Sequence, residues 1–456
     1  MPVMPGGAVG PGMESGGGME YSGVCATWRR RLDRGVEHTR IPVQVPILGS
    51  RIPVSPSAHL IFPKRLPTLL VLLLVLACSR SGKEAPPSPV VPDSARVIFA
   101  GRPIDLPPLP CVSAILIEPR TNQILHEQNA RARRAPASIA KMTLELVVMN
   151  DVAAGRLSLD DTVRVSPWAS KIGGSQVFLA EGEAFPLGEL MKAIAIHSAN
   201  DACVAVAEHM AGNPDGFVRL MNQEVEALGL KDTHYVNVHG LDDEPGEGNY
   251  TTAYDISQIG RNLIQYPHIL DWSSTIEAPF RGGSFLLQNT NKLLGHFSGL
   301  DGLKTGYTRK AGFCLCATAE RNGFRLLSVI LGANSNHDRF EETAGLLAAG
   351  FSAYAPVRIC GKGDSLGDPV PVRGGKVKAV RAVAPGEVTV VVSRPDDRRI
   401  TKTLVPMEKL RAPVRAGTQV GTLRVLAGET VLAEFPAVAA EEIPAAGWLR
   451  RLFSRN

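Results

Sequence analysis

Pro136-Ala137-Ser138-Ile139-Ala140-Lys141 opens an apolar run that extends from Ile139 to Val152 and stops at Gly155. Proline near the start and glycine past the end are the punctuation of a helix. On such a helix Ser138 and Lys141 lie three residues apart on one face, within reach of each other. A serine hydroxyl is a poor nucleophile until a neighbour takes its proton. A lysine takes it when burial and nearby cations lower its pKa. Ser138 also falls in the first turn, where free N–H groups and the positive dipole end favour a developing oxyanion. A serine and a lysine on any helix would look the same, so this pair decides nothing alone.

Two further segments lie downstream. Leu187 to Ile196 reads as one apolar helix and Ala202 to Met210 as another, closed by Gly212. Between them His197-Ser198-Ala199-Asn200-Asp201 is polar and rich in cap formers. Asp201 is expected to cap the second helix. The Ser198 hydroxyl can relay a proton to a leaving amine, and the Asn200 carboxamide can hold a substrate amide and Lys141. His197 is given no role, since a lone histidine beside a cap is usually structural. The third segment, Lys304-Thr305-Gly306-Tyr307, opens a strand. Two apolar runs follow, Phe313 to Ala317 and Arg325 to Leu331, joined by Asn322-Gly323, a hairpin pattern. Lys304 supplies the second positive charge for Lys141 and attracts a substrate carboxylate, which Thr305 hydrogen-bonds. Gly306 leaves room for a substrate backbone lying along the strand edge as an added strand. The N–H of Tyr307 pairs with that of Ser138 as oxyanion donor.

In this order and context the three segments are the S-x-x-K, S-x-N and K-T-G set of penicillin-recognising serine acyl-transferases. The expected chemistry is acyl transfer through a serine ester. Over residues 108–456 the chain resembles the low-molecular-mass penicillin-binding proteins, the D-alanyl-D-alanine carboxypeptidases of serine peptidase family S11. Ala114-Ile115-Leu116-Ile117, Thr121-Asn122 and Ile124-Leu125-His126-Glu127 resemble the opening hairpin of that family. Asn237-Val238-His239-Gly240-Leu241, Tyr250-Thr251-Thr252-Ala253, Asn289 to Leu294, and Gly332-Ala333 through Arg339-Phe340 follow its pattern too. The resemblance implies an α+β fold. A transpeptidase-like catalytic domain, an antiparallel sheet with a helical subdomain, would span 108–358, and a small β-sandwich 359–440. It implies that Ser138 is the acyl-ester nucleophile, Lys141 the base, and Ser198 with Asn200 the proton relay. Lys304, Thr305, Gly306, Tyr307 and Arg339 would bind substrate, with Arg339 near its terminal carboxylate. The expected substrates are peptidoglycan stem peptides, and β-lactam antibiotics are the expected inhibitors. The middle motif is Ser-Ala-Asn where related groups have Ser-Gly-Asn or Ser-Asp-Asn. No Glu-x-x-Leu-Asn segment lies between the second and third motifs, which argues against efficient antibiotic hydrolysis. Glu208, Glu224 and Glu226 read as solvated helix surface. A DD-endopeptidase is the alternative enzyme, a β-lactamase a weaker one, and a silent envelope-binding protein the non-enzymatic one.

Composition agrees. The 456 residues are 44% hydrophobic with net charge +5, enough for two domains. No basic stripe interleaved with aromatics suggests nucleic acid. Seven cysteines form no Cys-x-x-Cys pair, and no metal or other cofactor is expected. Cys203, Cys314 and Cys316 read as core. Residues 1–62 are rich in Gly, Pro and Arg without periodicity and read as a non-native or disordered extension. Lys64-Arg65, the run Leu66 to Leu76 and Ala77-Cys78 form a signal peptide over 63–78, which implies that translation starts nearer residue 60. Val75-Leu76-Ala77-Cys78 fits a lipoprotein box or a plain secretory cleavage site. Residues 79–107 read as a tether. At the other end, 441–456 reads as an amphipathic membrane-anchor helix with Trp448, Leu449, Leu452 and Phe453 on one face. A helix packed on its own domain would carry the same pattern. The sum is an exported, membrane-attached peptidase of the cell envelope.

Overall fold

The sheet that organises the catalytic half is built from strands buried on both faces. Ser113–Glu118 is buried throughout, and Phe324–Ala333 nearly so. Such strands need a cover on each side. The structure, a computed structural model, describes residues 96–242 and 248–447. In chain order its catalytic half holds β1 (Arg96–Phe99), β2 (Ser113–Glu118), β3 (Gln123–Gln128), a 3-10 turn (Ala137–Ala140), α1 (Lys141–Ala153), β4 (Thr162–Arg164), β5 (Ala184–Pro186), α2 (Leu187–His197) and α3 (Asn200–Ala211). Then come α4 (Pro214–Ala227), α5 (Ala253–Leu263), α6 (Pro267–Ser274), β6 (Glu277–Phe280), β7 (Phe285–Gln288), β8 (Leu300–Thr308), β9 (Gly312–Arg321), β10 (Phe324–Ala333) and α7 (Asn336–Ala353).

The central sheet runs β3-β2-β10-β9-β8, with every pair antiparallel. The two-residue period of a strand sorts its side chains into two cores. Ile115, Ile117, Cys314, Cys316 and Leu327 join the core with α1–α5, and Leu116, Leu315, Leu326 and Ile330 join the core under α7. The β9–β10 turn expected at Asn322-Gly323 forms, with φ of 52° and 74°, the left-handed pair a two-residue hairpin needs. β8 ends the sheet and carries the third motif on its open edge.

The second half is all β. It comprises β11 (Tyr354–Cys360), β12 (Val370–Pro371), β13 (Ala379–Val380), β14 (Ala382–Val383), β15 (Val388–Ser393), β16 (Ile400–Pro406), β17 (Gln419–Ala427) and β18 (Thr430–Ala439). A four-stranded sheet, β14-β18-β17-β16, and a three-stranded one, β1-β15-β11, enclose an apolar core around Val390, Val425 and Ala437.

Three expected boundaries move. Residues 96–107 are not tether: β1 pairs in parallel with β15, so the chain leading into the catalytic domain is a strand of the C-terminal one. The β domain begins at Tyr354 rather than 359, because α7 stops at Ala353 and β11 starts on the next residue. It also extends past 440, since Ile443 pairs with Val414 and the Ala446 N–H donates to Gly374. Residues 441–447 are therefore extended rather than helical. The remainder of the expected tail helix, Cys78 and the signal peptide lie outside the described residues. Among the described residues no helix is long and apolar enough to cross a membrane.

Candidate active site

Ser138 sits on a strained turn. The 3-10 segment Ala137–Ala140 precedes α1, and Ala137 adopts φ 49°. That conformation is costly for a residue with a Cβ and persists where the surroundings over-determine it. The surroundings here are two glycines. A Cβ on Gly240 would lie 1.9 Å from the Ala137 carbonyl oxygen, and one on Gly306 would lie 3.1 Å from the Ser138 nitrogen. A side chain at Gly306 would thus meet the first turn bearing Ser138. That contact packs the edge of β8 against the nucleophile.

Lys141 is fully buried, one turn below Ser138. Its Nζ donates to Ser138 Oγ at 2.7 Å, to the His239 carbonyl at 3.0 Å and to Ser198 Oγ at 3.3 Å. Three acceptors match the three protons of an ammonium. Once neutral, the amine has two protons for His239 and Ser198 and one lone pair, which faces the Ser138 hydroxyl. Burial lowers the Lys141 pKa to about 8, with the negative sides of Cys203, Glu145 and Asp201 opposing. Lys304 is depressed as well, by burial first and then by the neighbouring Lys141 charge.

Ser198 ends α2 in the left-handed conformation, φ 65°, which turns its hydroxyl back to Lys141. Asn200 starts α3. Its Nδ2 donates to Gly173 at 2.6 Å, and its buried Oδ1 has no partner. Asn200 does not bond Lys141, contrary to expectation; the His239 carbonyl fills that place. Asp201 is not the cap either. Its carboxylate accepts from the N–H groups of Val177, Leu179 and Ala202, which holds the 177–179 loop beside the site. His197 accepts from the Gln288 N–H at 3.3 Å and stacks edge-on with Phe285, tying α2 to β7.

On β8, Thr305 Oγ1 donates to Thr290 Oγ1 at 2.6 Å. Lys304 is 1% exposed and donates to the Thr305 carbonyl at 3.0 Å. Tyr307 is exposed and stacks on Phe313 at 4.3 Å. Arg339, in the first turn of α7, is buried. Its Nη1 donates to the Gly306 carbonyl at 3.1 Å and lies against the Phe313 and Phe340 rings, and burial lowers its pKa to about 10. Glu208 and Glu224 are half-buried, and only Glu226 is exposed as expected.

Three participants were not singled out. The His239 carbonyl carries no side-chain signature. Asn237 accepts from the Gly240 N–H at 2.7 Å and donates to the Leu241 carbonyl at 3.0 Å, which fixes the turn that aims that carbonyl. Glu145, four residues after Lys141, is 3% exposed inside an apolar helix. Burial holds its carboxyl well above the usual carboxylate range, with Lys304 and Lys141 opposing. A lone acid in Leu144-Glu145-Leu146 was the available sign. Among the described residues no group of three or more His, Cys, Asp or Glu could hold a metal ion.

A sheet-edge K-T-G strand, a serine on a helix start and a buried lysine between two hydroxyls define a penicillin-recognising serine acyl-transferase. The family model for D-alanyl-D-alanine carboxypeptidase matches residues 105–335, and that for the C-terminal domain of penicillin-binding protein 5 matches 354–445. The chain belongs to the D-alanyl-D-alanine carboxypeptidases of peptidase family S11. It is 35% identical over 341 residues to DacF of Bacillus subtilis (strain 168), covering 74% of this chain and 87% of the relative. It is also 35% identical over 348 residues to DacA of Escherichia coli (strain K12), covering 74% and 85%. Both relatives are named D-alanyl-D-alanine carboxypeptidases; one named D-alanyl-D-alanine endopeptidase, from Pseudomonas aeruginosa, is 27% identical over 288 residues. Among solved structures, penicillin-binding protein 5 of Haemophilus influenzae superposes with TM-score 0.62 at 26% identity, covering 75% of this chain and 99% of that one.

Proposed function

We propose that this chain removes the last D-alanine from peptidoglycan stem pentapeptides through an ester on Ser138. The observation that carries the reading is Lys141 Nζ placed 2.7 Å from Ser138 Oγ and 3.3 Å from Ser198 Oγ. Ser138 attacks the carbonyl of the penultimate D-alanine, and its proton passes to neutral Lys141. The oxyanion sits between the N–H groups of Ser138 and Tyr307. Ser198 passes a proton from Lys141 to the departing amine, with Asn200 holding the 173–174 loop that flanks it. Free D-alanine leaves, with its carboxylate held by Lys304, Thr305 and Arg339. Water, deprotonated by Lys141, then hydrolyses the ester and restores the serine. No cofactor takes part.

A β-lactam presents the same carboxylate and a strained amide, so it acylates Ser138 and inhibits. A relative supports this: penicillin-binding protein D2 of Listeria monocytogenes, solved in an ampicillin-bound form, superposes with TM-score 0.50 at 29% identity, covering 54% of this chain and 100% of that one. The test is labelling by a fluorescent penicillin together with turnover of a peptide ending in D-Ala–D-Ala and of its amide. Labelling, and an amide slower by about 10- to 150-fold (1.5–3 kcal/mol, a hydrogen bond to a charge), is the expected result. Equal turnover of acid and amide rules out the carboxylate grip.

The same proposal places the enzyme outside the cytoplasm at the membrane. The support is the Leu66 to Leu76 run with Ala77-Cys78 and the amphipathic tail. Deleting Gly447 to Asn456 leaves the protein on membranes if Cys78 is lipidated and releases it otherwise. Retention after both that deletion and Cys78→Ala excludes both anchors.

A further inference from the structure

A peptide laid along β8 as an added strand has its direction fixed by the site. Its terminal carboxylate lies at Lys304 and Thr305 and its scissile carbonyl at the Tyr307 N–H, so it runs antiparallel to β8. The residues upstream of the scissile bond then pass Thr308 and reach the β8–β9 turn at Arg309 and Lys310. A cavity of about 290 Å³ opens there, lined by Arg133, Arg134, Lys310 and the 248–250 segment. Its walls belong to the site. Arg134 stands four residues before Ser138, and Lys310 follows the third motif on the same turn. Asn249 accepts from the N–H groups of Val236 and Asn237 at 2.6 and 3.1 Å, which braces the turn that aims the His239 carbonyl. Three cations line the cavity, and among the described residues no carboxylate does. Arg133 is engaged, with Asp232 at 2.8 Å and the Tyr250 ring at 4.8 Å. Arg134 and Lys310 make no ion pair among the described residues, and the Arg134 Nε is buried with no hydrogen-bond partner. Gly248 leaves the Lys310 amine uncovered, since a Cβ there would lie 3.8 Å from Nζ.

We propose that this cavity is a subsite for the free carboxylate on the second residue of the stem peptide, a γ-linked D-glutamate, with Arg134 and Lys310 as its cations. This deepens the carboxypeptidase reading given above and rests on it. The chemistry of the stem selects that residue. A glutamate joined through its side-chain carboxyl keeps its α-carboxylate free, so the stem carries an anion two residues before the scissile D-alanine carbonyl. Two extended residues cover about 7 Å, which takes the chain from Tyr307 to the β8–β9 turn. Arginine offers a carboxylate a planar fork of donors, and lysine adds a point charge. A stem amidated at that position presents a neutral carboxamide and leaves both cations without a counter-charge. The subsite therefore distinguishes free from amidated stems, while Lys304, Thr305 and Arg339 read the other end of the peptide.

The experiment measures kcat/KM, by released D-alanine, for three peptides. They are L-alanyl-γ-D-glutamyl-L-lysyl-D-alanyl-D-alanine, its analogue with D-isoglutamine at the second position, and Nα,Nε-diacetyl-L-lysyl-D-alanyl-D-alanine, which lacks that residue. The wild type should favour the glutamate peptide over the isoglutamine one by about tenfold, the low end for a hydrogen bond to a charged group. Added salt should shrink that ratio. In Arg134→Gln/Lys310→Gln the ratio should fall to within about twofold, while the diacetyl peptide keeps its wild-type rate. Equal wild-type turnover of the two pentapeptides overturns the proposal, and so does a ratio that survives the double substitution. A purely structural role for the two cations would slow all three peptides together, which also overturns it. If Arg134→Gln folds poorly, Lys310→Glu decides from an exposed turn. Its ratio should fall by about threefold, the scale of one exposed charge pair, and an unchanged ratio overturns the subsite. Penicillin labelling and turnover of the diacetyl peptide test the acyl-transfer reading separately, since neither ligand carries the second residue.

Discussion

The catalytic half and the C-terminal β domain are packed by opposite rules. Between residues 354 and 447, the one polar residue buried below a tenth among those described is Thr418. The rest of the buried polar and charged set runs from Ser113 to Thr343 and includes Lys141, Glu145, Asp201, Lys304 and Arg339. Non-glycine residues with positive φ divide the same way: all lie at or before Asn322, with Ala137 and Ser198 at the site itself. The β domain is an apolar core closed by sheets, stabilised by about 25 cal/mol for each Å² taken from water. The cleft holds ions out of water, which costs several kcal/mol per ion unless geometry compensates. Local rules of folding break where chemistry is done. Here the break is confined to the catalytic half, and the Ser138 turn, the three groups around Lys141 and the edge of β8 lie within it.

The largest effect should come from the nucleophile. Ser138→Ala removes a half-buried hydroxyl whose listener is Lys141, and should leave the fold intact. Covalent penicillin labelling and peptide turnover should fall by on the order of 10⁴-fold or more, as for nucleophile loss in other serine peptidases. Labelling at the wild-type rate, read by fluorescence and by intact mass, would sink the assignment. Next in size is Lys141→Met, expected to slow acylation by about 10²- to 10⁴-fold, the usual worth of a positioned general base. In the wild type, the base is the neutral amine, so the acylation rate should climb as pH rises through about 8, the value burial gives Lys141. A rate flat across that region would assign the proton to another group.

How much of this was readable in the residues depends on what kind of group does the work. Ser138, Lys141, Ser198, Asn200, Lys304 and Thr305 were singled out for their side chains, and the fixed spacing of their motifs exposed them. The helices α1 and α3 were readable from apolar runs ended by Gly155 and Gly212, α2 from the run ended by the polar His197–Asp201 segment, and the β9–β10 hairpin from Asn322-Gly323. The His239 carbonyl was not, because every residue has a carbonyl and only the turn built by Asn237 and Gly240 aims this one. A glycine reports that something comes close without saying what, so the packing of Gly306 against the Ser138 turn was not readable beside the role expected for it toward substrate. β1 escaped because Arg96-Val97-Ile98-Phe99 is four residues in a Pro-rich stretch, and its partner β15 lies almost three hundred residues downstream. Pairing at that distance leaves no local pattern.

A pair of glycines sharpens the contrast between the two halves. Gly240 has φ +86° and a prospective Cβ 1.9 Å from the Ala137 oxygen; Gly428, in the β17–β18 turn, has φ +61° and nothing within 4 Å. Gly428→Ala should cost about 1 kcal/mol, the strain of a left-handed alanine, and leave labelling alone. Gly240→Ala must also displace the turn that carries Ser138. It should slow acylation by on the order of 10²-fold, since a shift of about 1 Å at a reacting group has that consequence. Equal effects of the two on acylation would show that the 237–241 turn does not position Ser138.

The smallest effect on chemistry is expected where the effect on stability is large. Phe435 is 2% exposed in the β-domain core, on β18 opposite Leu423 of β17. Phe435→Ala should destabilise by about 3–5 kcal/mol, the usual cost of emptying a packed aromatic site. No residue of the cleft belongs to that core, whose members run from Ile359 to Ile443 with Ile98 and Ala100 against it. Sites with no shared partners act independently. Penicillin labelling and turnover of a small soluble peptide should therefore stay within about twofold of wild type while the protein remains folded. The route by which this could fail is visible. Tyr354 starts β11 yet packs in the core beneath α7, and β1 ties the entry of the catalytic domain to β15. If Phe435→Ala slows acylation below its own melting transition, those two links transmit the state of the β domain to the cleft, and the two halves are one cooperative unit rather than a chemical one on a passive support.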